Sequence, residues 1–124
     1  MENCEQSFMK LNNILVEKII EFIKENYSWQ DLSLATLAGH FNLTMNHISR
    51  TFKKHTNINF KDYIANYRIE KACEILMEMP TVKIADLAKM VGYDNSARFI
   101  RNFKNIKGMS PGQYLKQERG RSAT

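Results

Sequence analysis

One pattern of residues occurs twice in this chain of 124 residues, and the two copies are fifty to fifty-one positions apart. Residues 34–38, Leu-Ala-Thr-Leu-Ala, return as residues 84–88, Ile-Ala-Asp-Leu-Ala. Residues 48–53, Ile-Ser-Arg-Thr-Phe-Lys, return as residues 99–104, Phe-Ile-Arg-Asn-Phe-Lys. Each copy predicts a short helix, a turn and a longer helix that ends in basic residues, which is the pattern of a helix-turn-helix. The length suits one small domain or two very small ones.

Apolar residues at intervals of three and four predict an amphipathic first helix from about residue 8 to Tyr27. Its stripe consists of Phe8, Leu11, Ile14, Leu15, Ile19, Phe22 and Ile23. The connector behind this helix contains Trp29, which we expect to plug the core over a helix end.

Capping residues and turn residues place the remaining helices. Ser33, Thr44 and Asn59 are suitable N-caps, and Ser110-Pro111 suits the start of a last short helix. The expected helices cover about residues 34–41, 45–55, 60–79, 83–91, 95–106 and a short segment after residue 110. Left-handed turns are expected at Asn42, Asn57, Gly92 and Gly108. No segment alternates with the period of a strand, so the sequence predicts an all-α fold of about seven helices.

The same boundaries predict two helix-turn-helix subdomains joined by a long central helix. The expected segments are a flexible N-terminus at 1–7, a first subdomain at 8–58, a connecting helix at 59–79, a second subdomain at 80–117 and a flexible tail at 118–124. Pro80 stands where the connecting helix should stop.

Charge is distributed unevenly along the chain. Residues 1–49 carry three lysines against six acidic residues, a net charge of −3, whereas residues 50–124 carry fifteen basic residues against seven acidic ones, a net charge of +8. Residues 32–61 and 95–117 contain basic residues and no acidic residue, and each run includes the second helix of one repeat. Such a distribution favours an anionic partner.

The outward faces of these two helices carry the candidate DNA-binding residues. In the first copy Ile48 and Phe52 face inward, and in the second Phe99 and Phe103 do so. The outward side chains suited to base contact are Asn46, Ser49, Arg50, Ser96, Ala97, Arg98 and Arg101, because Asn pairs with adenine, Arg with guanine, and a small apolar group with a thymine methyl. The candidates for phosphate contact are Lys53, Lys54, Lys104 and Lys107.

Other chemistries find little support in the sequence. His40, His47 and His55 lie on two predicted helices without Cys or carboxylate partners at ligand spacing, so we expect no metal site. Phosphate-binding glycine loops and nucleophile motifs are absent, which argues against an enzyme and against a cofactor. No apolar run reaches the ~18 residues of a membrane span, and the acidic start does not resemble a signal peptide. Cys4 and Cys73 fit reduced thiols in the cytoplasm.

The motifs resemble the DNA-binding domain of the AraC/XylS family of bacterial transcription regulators over about residues 12–117. The strongest matches are residues 48–54, 63–64 with 68–72, 84–88, 91–93, 99–104 and 108–114. The resemblance implies two recognition helices, about 45–55 and 95–106, that enter successive major grooves of double-stranded DNA. It carries over the base-contact candidates already given. Most members also carry an effector-binding domain, for which we expect no room and no effector pocket within these 124 residues. The chain is therefore either a stand-alone regulator or the C-terminal part of a longer protein.

Two alternatives remain beside a sequence-specific regulator. A protein-interaction module could reuse the same fold, for example to dock on RNA polymerase. A non-specific architectural DNA binder would show the same charge pattern. The outward residues of the two copies differ almost everywhere except at Arg50 and Arg101, which favours two unlike readers of an asymmetric site.

Overall fold

The computed structural model describes the backbone of residues 4–122 and the side chains of residues 10–120. Over that part of the chain the fold is all-α and consists of seven helices, as the capping pattern predicts. The helices are α1 (Cys4–Asn26), α2 (Leu34–Phe41), α3 (Met45–Thr56), α4 (Phe60–Glu78), α5 (Ile84–Met90), α6 (Ser96–Lys107) and α7 (Pro111–Ser122).

The helices at both ends are longer than the sequence suggests. α1 already begins at Cys4 and α7 continues to Ser122. Helix thus extends into residues 4–7 and 118–122, which the sequence pattern predicts as flexible end segments, while residues 1–3 and 123–124 lie outside the described residues. Glu5, Gln6 and Glu118 are good helix formers, so polarity alone does not end a helix in these segments.

The chain divides into two compact units that are not contiguous in sequence. The first contains the chain up to Tyr27 together with Asp31–Ile64, and the second contains Ser28–Gln30 together with Ala65–Thr124. The boundary in α4 falls between Ile64 and Ala65, so this helix contributes its first turn and a half to one unit and the rest to the other. The sequence pattern instead predicts residues 59–79 as a separate connecting helix.

The first unit packs α1, α2 and α3 around aliphatic and aromatic side chains. The fully buried side chains are Ile19, Ile23, Leu37, Ile48 and Phe52. The ring of Phe52 meets the ring of Tyr63 edge to face, with centroids 5.1 Å apart. Each fully buried large side chain of this kind stabilises the fold by about 1.5–3 kcal/mol relative to an exposed one.

The buried stripe of α1 differs from the one predicted. Leu11 is 65% exposed and Ile14 is 48% exposed, although both belong to the predicted stripe. Val16 lies outside that stripe and is buried. Helical periodicity defines a face, but it does not say how far along that face the rest of the unit extends.

The second unit packs α4, α5, α6 and α7 around a second core. Its fully buried large side chains are Ile69, Leu87, Val91, Phe99 and Phe103. The Phe103 ring lies edge to face with the ring of Tyr114 in α7, at 5.6 Å between centroids. Trp29 belongs to this unit and is 44% exposed, so the expectation that it plugs a core is wrong. Its backbone carbonyl, rather than its ring, is held, because it accepts a hydrogen bond from Arg68 Nη2 at 2.9 Å.

Candidate nucleic-acid interface

The first helix-turn-helix is fixed by local caps at both ends of α3. Ser33 and Thr36 form a capping box at the start of α2. Asn42 ends α2 in the left-handed conformation, with φ of 55°. Thr44 Oγ1 accepts a hydrogen bond from the backbone N–H of His47 at 3.1 Å and so caps α3. Asn57, with φ of 62°, ends α3 and donates its backbone N–H to the Lys53 carbonyl at 2.8 Å. These caps set the length and direction of the helix without help from distant residues.

The second helix-turn-helix repeats this construction with different residues. Asn95 Oδ1 accepts a hydrogen bond from the backbone N–H of Arg98 at 2.8 Å and caps α6. Gly108, with φ of 76°, ends α6 and donates its N–H to the Lys104 carbonyl at 2.8 Å. The two caps Thr44 and Asn95 are fifty-one positions apart, as are the two terminal residues Asn57 and Gly108. The repeat in the sequence is thus a repeat in backbone geometry.

Both recognition helices bury the residues that the sequence predicts to face inward. Ile48 and Phe52 of α3 are fully buried, and so are Phe99 and Phe103 of α6. The opposite faces carry the base-contact candidates. Asn46, Arg50, Ala97, Arg98 and Arg101 are exposed, whereas Ser49 and Ser96 are partly covered. The structure thus leaves each candidate at least partly open to solvent, and their role as base contacts remains a prediction.

The phosphate candidates divide into two groups. Lys53, Lys54 and Lys104 are exposed. Lys107 instead pairs with Glu70 of α4, and its ammonium lies 5.8 Å from the centroid of the Tyr114 ring. The hydrogen bond to Glu70 raises the pKa of Lys107. Lys107 is therefore held by its own unit, which weakens the case for a phosphate contact by this residue.

A buried arginine organises the residues behind α6. Arg68 is buried, and its guanidinium carbon lies 5.5 Å from the centroid of the Tyr93 ring. The hydroxyl of Tyr93 accepts a hydrogen bond from Asn102 Nδ2 of α6 at 3.0 Å. Gln30 Nε2 donates to the backbone carbonyl of Tyr93 at 3.4 Å. Burial lowers the pKa of Arg68 and raises the pKa of Tyr93.

Arg98 has an acidic neighbour at the start of α6. Its Nη1 lies 4.0 Å from Asp94 Oδ1, and both side chains are more than half exposed. An exposed pair of this kind contributes about 0–1 kcal/mol. The guanidinium therefore remains free to exchange this partner for a base edge.

Met45 is an outward residue that does not belong to the candidates predicted from the sequence. It is the first residue of α3 and is 49% exposed. Alignment of the two copies at their caps, Thr44 and Asn95, puts Met45 opposite Ser96, which is a base-contact candidate. That alignment is the signal in the sequence that would have identified it.

The described part of the chain contains neither a cluster of metal-ligating side chains nor a membrane-spanning helix. The ring of His40 lies 4.4 Å from the ring of Phe22, centroid to centroid, in an aromatic cluster of the first unit. No group of three metal-ligating side chains occurs among the residues with described side chains. Within residues 4–122, no helix is long and apolar enough to cross a bilayer.

Comparison with known proteins agrees with this geometry. A family model described as "Helix-turn-helix domain" matches residues 37–117. The chain is 34% identical to the uncharacterized HTH-type transcriptional regulator YtdP of Bacillus subtilis over 103 residues, which are 83% of this chain and 13% of that protein. It is 30% identical to the Msm operon regulatory protein of Streptococcus mutans, over 82% of this chain and 36% of that protein. The chain thus spans well under half of either relative.

A solved structure shows the same fold. The C-terminal domain of AraT, a response regulator from Geobacillus stearothermophilus, superposes with a TM-score of 0.80 at 32% sequence identity, and the match covers 82% of this chain and 84% of that one. On the family model and on this likeness, the chain belongs to the AraC/XylS family of helix-turn-helix transcription regulators.

Proposed function

We propose that this chain is the DNA-binding part of a bacterial transcription regulator and that it recognises an asymmetric duplex site through α3 and α6. One observation carries the proposal: two capped helices of twelve residues each present basic outward faces, and neither helix contains an acidic residue. An α-helix of this size fits the major groove, where base identity is displayed. A regulator of this kind acts on the chromosome, so we place it in the cytoplasm.

Within each helix we assign the first turns to bases and the last turn to the backbone of DNA. The assignment follows from the helix-turn-helix geometry, in which residues near the start of the recognition helix contact base edges. We assign base contact to Asn46, Ser49, Arg50, Ser96, Ala97, Arg98 and Arg101. We assign phosphate contact to Lys53, Lys54 and Lys104, which are exposed and lie further along the two helices.

Asymmetry of the site follows from the unlike outward faces. At positions that align between the copies, α3 presents Asn46 and His47 where α6 presents Ala97 and Arg98. Asn pairs best with adenine and Arg with guanine, so the two helices prefer different bases. A palindrome would require like faces, and we therefore expect one defined orientation of the chain on its site.

Selection from random duplexes tests the proposal directly. We expect a motif with two unlike half-sites about ten base pairs apart, which is one turn of B-DNA. Affinity for the selected duplex should fall steeply with salt, with a slope of about −0.9 per phosphate neutralised in a log–log plot. If the chain binds duplexes tightly but the selection enriches no motif, a non-specific architectural binder is favoured. Absence of duplex binding at low salt would leave the protein-interaction alternative.

Three alanine variants test the division between bases and phosphates. Arg101→Ala should cost about 1–3 kcal/mol on the selected site and relax the preference at one base pair. Lys104→Ala should weaken binding to all duplexes alike and reduce the salt slope by about one unit. Lys107→Ala is the matched control, because its ammonium is already paired with Glu70, and it should leave the salt slope unchanged. Equal losses of affinity for Arg101→Ala and Lys104→Ala on every duplex would contradict the division.

A further inference from the structure

We propose that Met45 is a specificity-determining residue of α3 and that it contacts the 5-methyl group of a thymine in the major groove. The proposal rests on the proposed function, since it assigns a role within a recognition helix. Met45 directly follows the cap residue Thr44 and stands at the first position of α3. This is the turn from which a recognition helix reaches base edges.

Met45 is an apolar residue of a recognition helix that the core of the first unit does not cover. The inward face of α3 is formed by Ile48 and Phe52, which are fully buried, whereas Met45 is 49% exposed. Exposed methionine side chains are flexible and polarizable, and they gain free energy when an apolar surface covers them. An apolar group at the level of the first turn of α3 would therefore gain free energy by covering Met45.

Charge identifies the occupant as DNA rather than a second protein surface. Met45 lies in the run of residues 32–61, which contains Arg50, Lys53, Lys54 and Lys61 and no acidic residue. A basic surface of this kind attracts a polyanion. The apolar group that a DNA duplex displays in its major groove is the 5-methyl of thymine.

The second unit carries a different side chain at the aligned position. Ser96 occupies that position in α6, and its hydroxyl can pair with several bases but offers no apolar surface. Next to Met45, the exposed amide of Asn46 suits adenine. Together the two residues add a preference for A·T pairs to the first half-site, next to the guanine expected for Arg50, whereas α6 offers two arginines and no such pair of residues.

Replacement of thymine by deoxyuridine tests the contact at the level of one methyl group. Each thymine of the selected duplex is replaced in turn, which removes the methyl and leaves base pairing intact. For the natural chain we expect about a fourfold loss of affinity at one thymine, since a buried group of this size contributes about 0.8 kcal/mol. In Met45→Ala that loss should disappear, and in Met45→Leu, which remains apolar, it should persist.

Met79→Ala is the matched control. Met79 is 48% exposed and follows α4, outside both recognition helices, so this variant should keep the fourfold sensitivity to deoxyuridine. A second arm replaces the critical T·A pair by C·G. Affinity should fall and then recover in part when that cytosine carries a 5-methyl group. Circular dichroism spectra of the variants check that each remains folded.

The outcomes separate this inference from the proposed function. Tight, selective binding in which no thymine is sensitive to deoxyuridine overturns the assignment of Met45 and leaves the regulator intact. The assignment is equally overturned if the sensitivity to deoxyuridine persists unchanged in Met45→Ala. In that case the substitution lowers affinity equally on thymine and deoxyuridine duplexes. Absence of any duplex binding by the natural chain overturns both proposals together.

Discussion

The end of α6 at Gly108 offers a clean test of backbone energetics. Gly108 has φ of 76°, and a Cβ added there would have no heavy atom within 4 Å. Gly108→Ala therefore changes the conformational energy without creating a clash. The left-handed conformation costs a residue with a Cβ about 1–2 kcal/mol, while the loss of unfolded-state entropy returns about 0.4–1 kcal/mol. We expect the free energy of unfolding to fall by about 0.5–1 kcal/mol.

The fluorescence of Trp29 is a suitable probe for this measurement. Trp29 is the single tryptophan of the chain, and it belongs to the same unit as Gly108. Urea titrations of the natural chain and of Gly108→Ala should give parallel curves with a lower midpoint for the variant. Gly112→Ala is the control, since Gly112 lies within α7, has no positive φ and also has open space around it. It should leave stability unchanged or raise it by up to about 1 kcal/mol.

A third variant, Gly108→Asn, tests the equivalence of the two repeats. Asn57 holds the aligned position in α3 with φ of 62°, and Asn tolerates this conformation better than other residues with a Cβ. Gly108→Asn should therefore lose less than half of what Gly108→Ala loses. The reasoning is refuted if Gly108→Ala has the same free energy of unfolding as the natural chain. It is also refuted if the Asn and Ala variants lose equal stability.

Two further predictions concern a cap and a partly buried phenol. Asn95→Ala removes the side chain that accepts from the Arg98 N–H, so it should lower the free energy of unfolding by about 1 kcal/mol, and Asn95→Asp, which keeps the acceptor, should restore most of it in the same urea titration. Burial raises the pKa of Tyr114 from 10 to about 12, so the folded state favours the neutral phenol. The resulting stability is present below pH 10 and is lost as the pH rises toward about 12. An ultraviolet titration of the natural chain should show a late-ionising tyrosine that is missing in Tyr114→Phe. The same titration curve for both proteins would contradict the assignment.

Local chemistry explains why the sequence predicts most of the helices correctly. The caps Thr44 and Asn95 act on backbone groups three residues away, and Asn57 and Gly108 end helices through their own φ. These interactions depend on neighbours in the chain, so they can be identified from the sequence. The inward faces of α3 and α6 follow from the same short-range geometry, because helical period fixes which residues share a face.

Contacts between distant parts of the chain account for what the sequence does not reveal. The pairing of Lys107 with Glu70 joins residues 37 positions apart, and the hydrogen bond from Arg68 to the Trp29 carbonyl joins residues 39 positions apart. Neither has a local signature, so Lys107 resembles a free phosphate ligand and Trp29 resembles a core residue when only the sequence is considered.

The assignment of Ser28–Gln30 to the second unit bears on how such proteins can be recombined. These three residues lie between α1 and α2 in the sequence, yet Trp29 accepts a hydrogen bond from Arg68 and Gln30 donates one to the Tyr93 carbonyl. A hybrid regulator made by a single crossover within α4 would combine the connector of one parent with the Arg68 environment of another. Exchange of the second helix-turn-helix between relatives therefore requires that residues 28–30 and residues 65–122 come from the same parent.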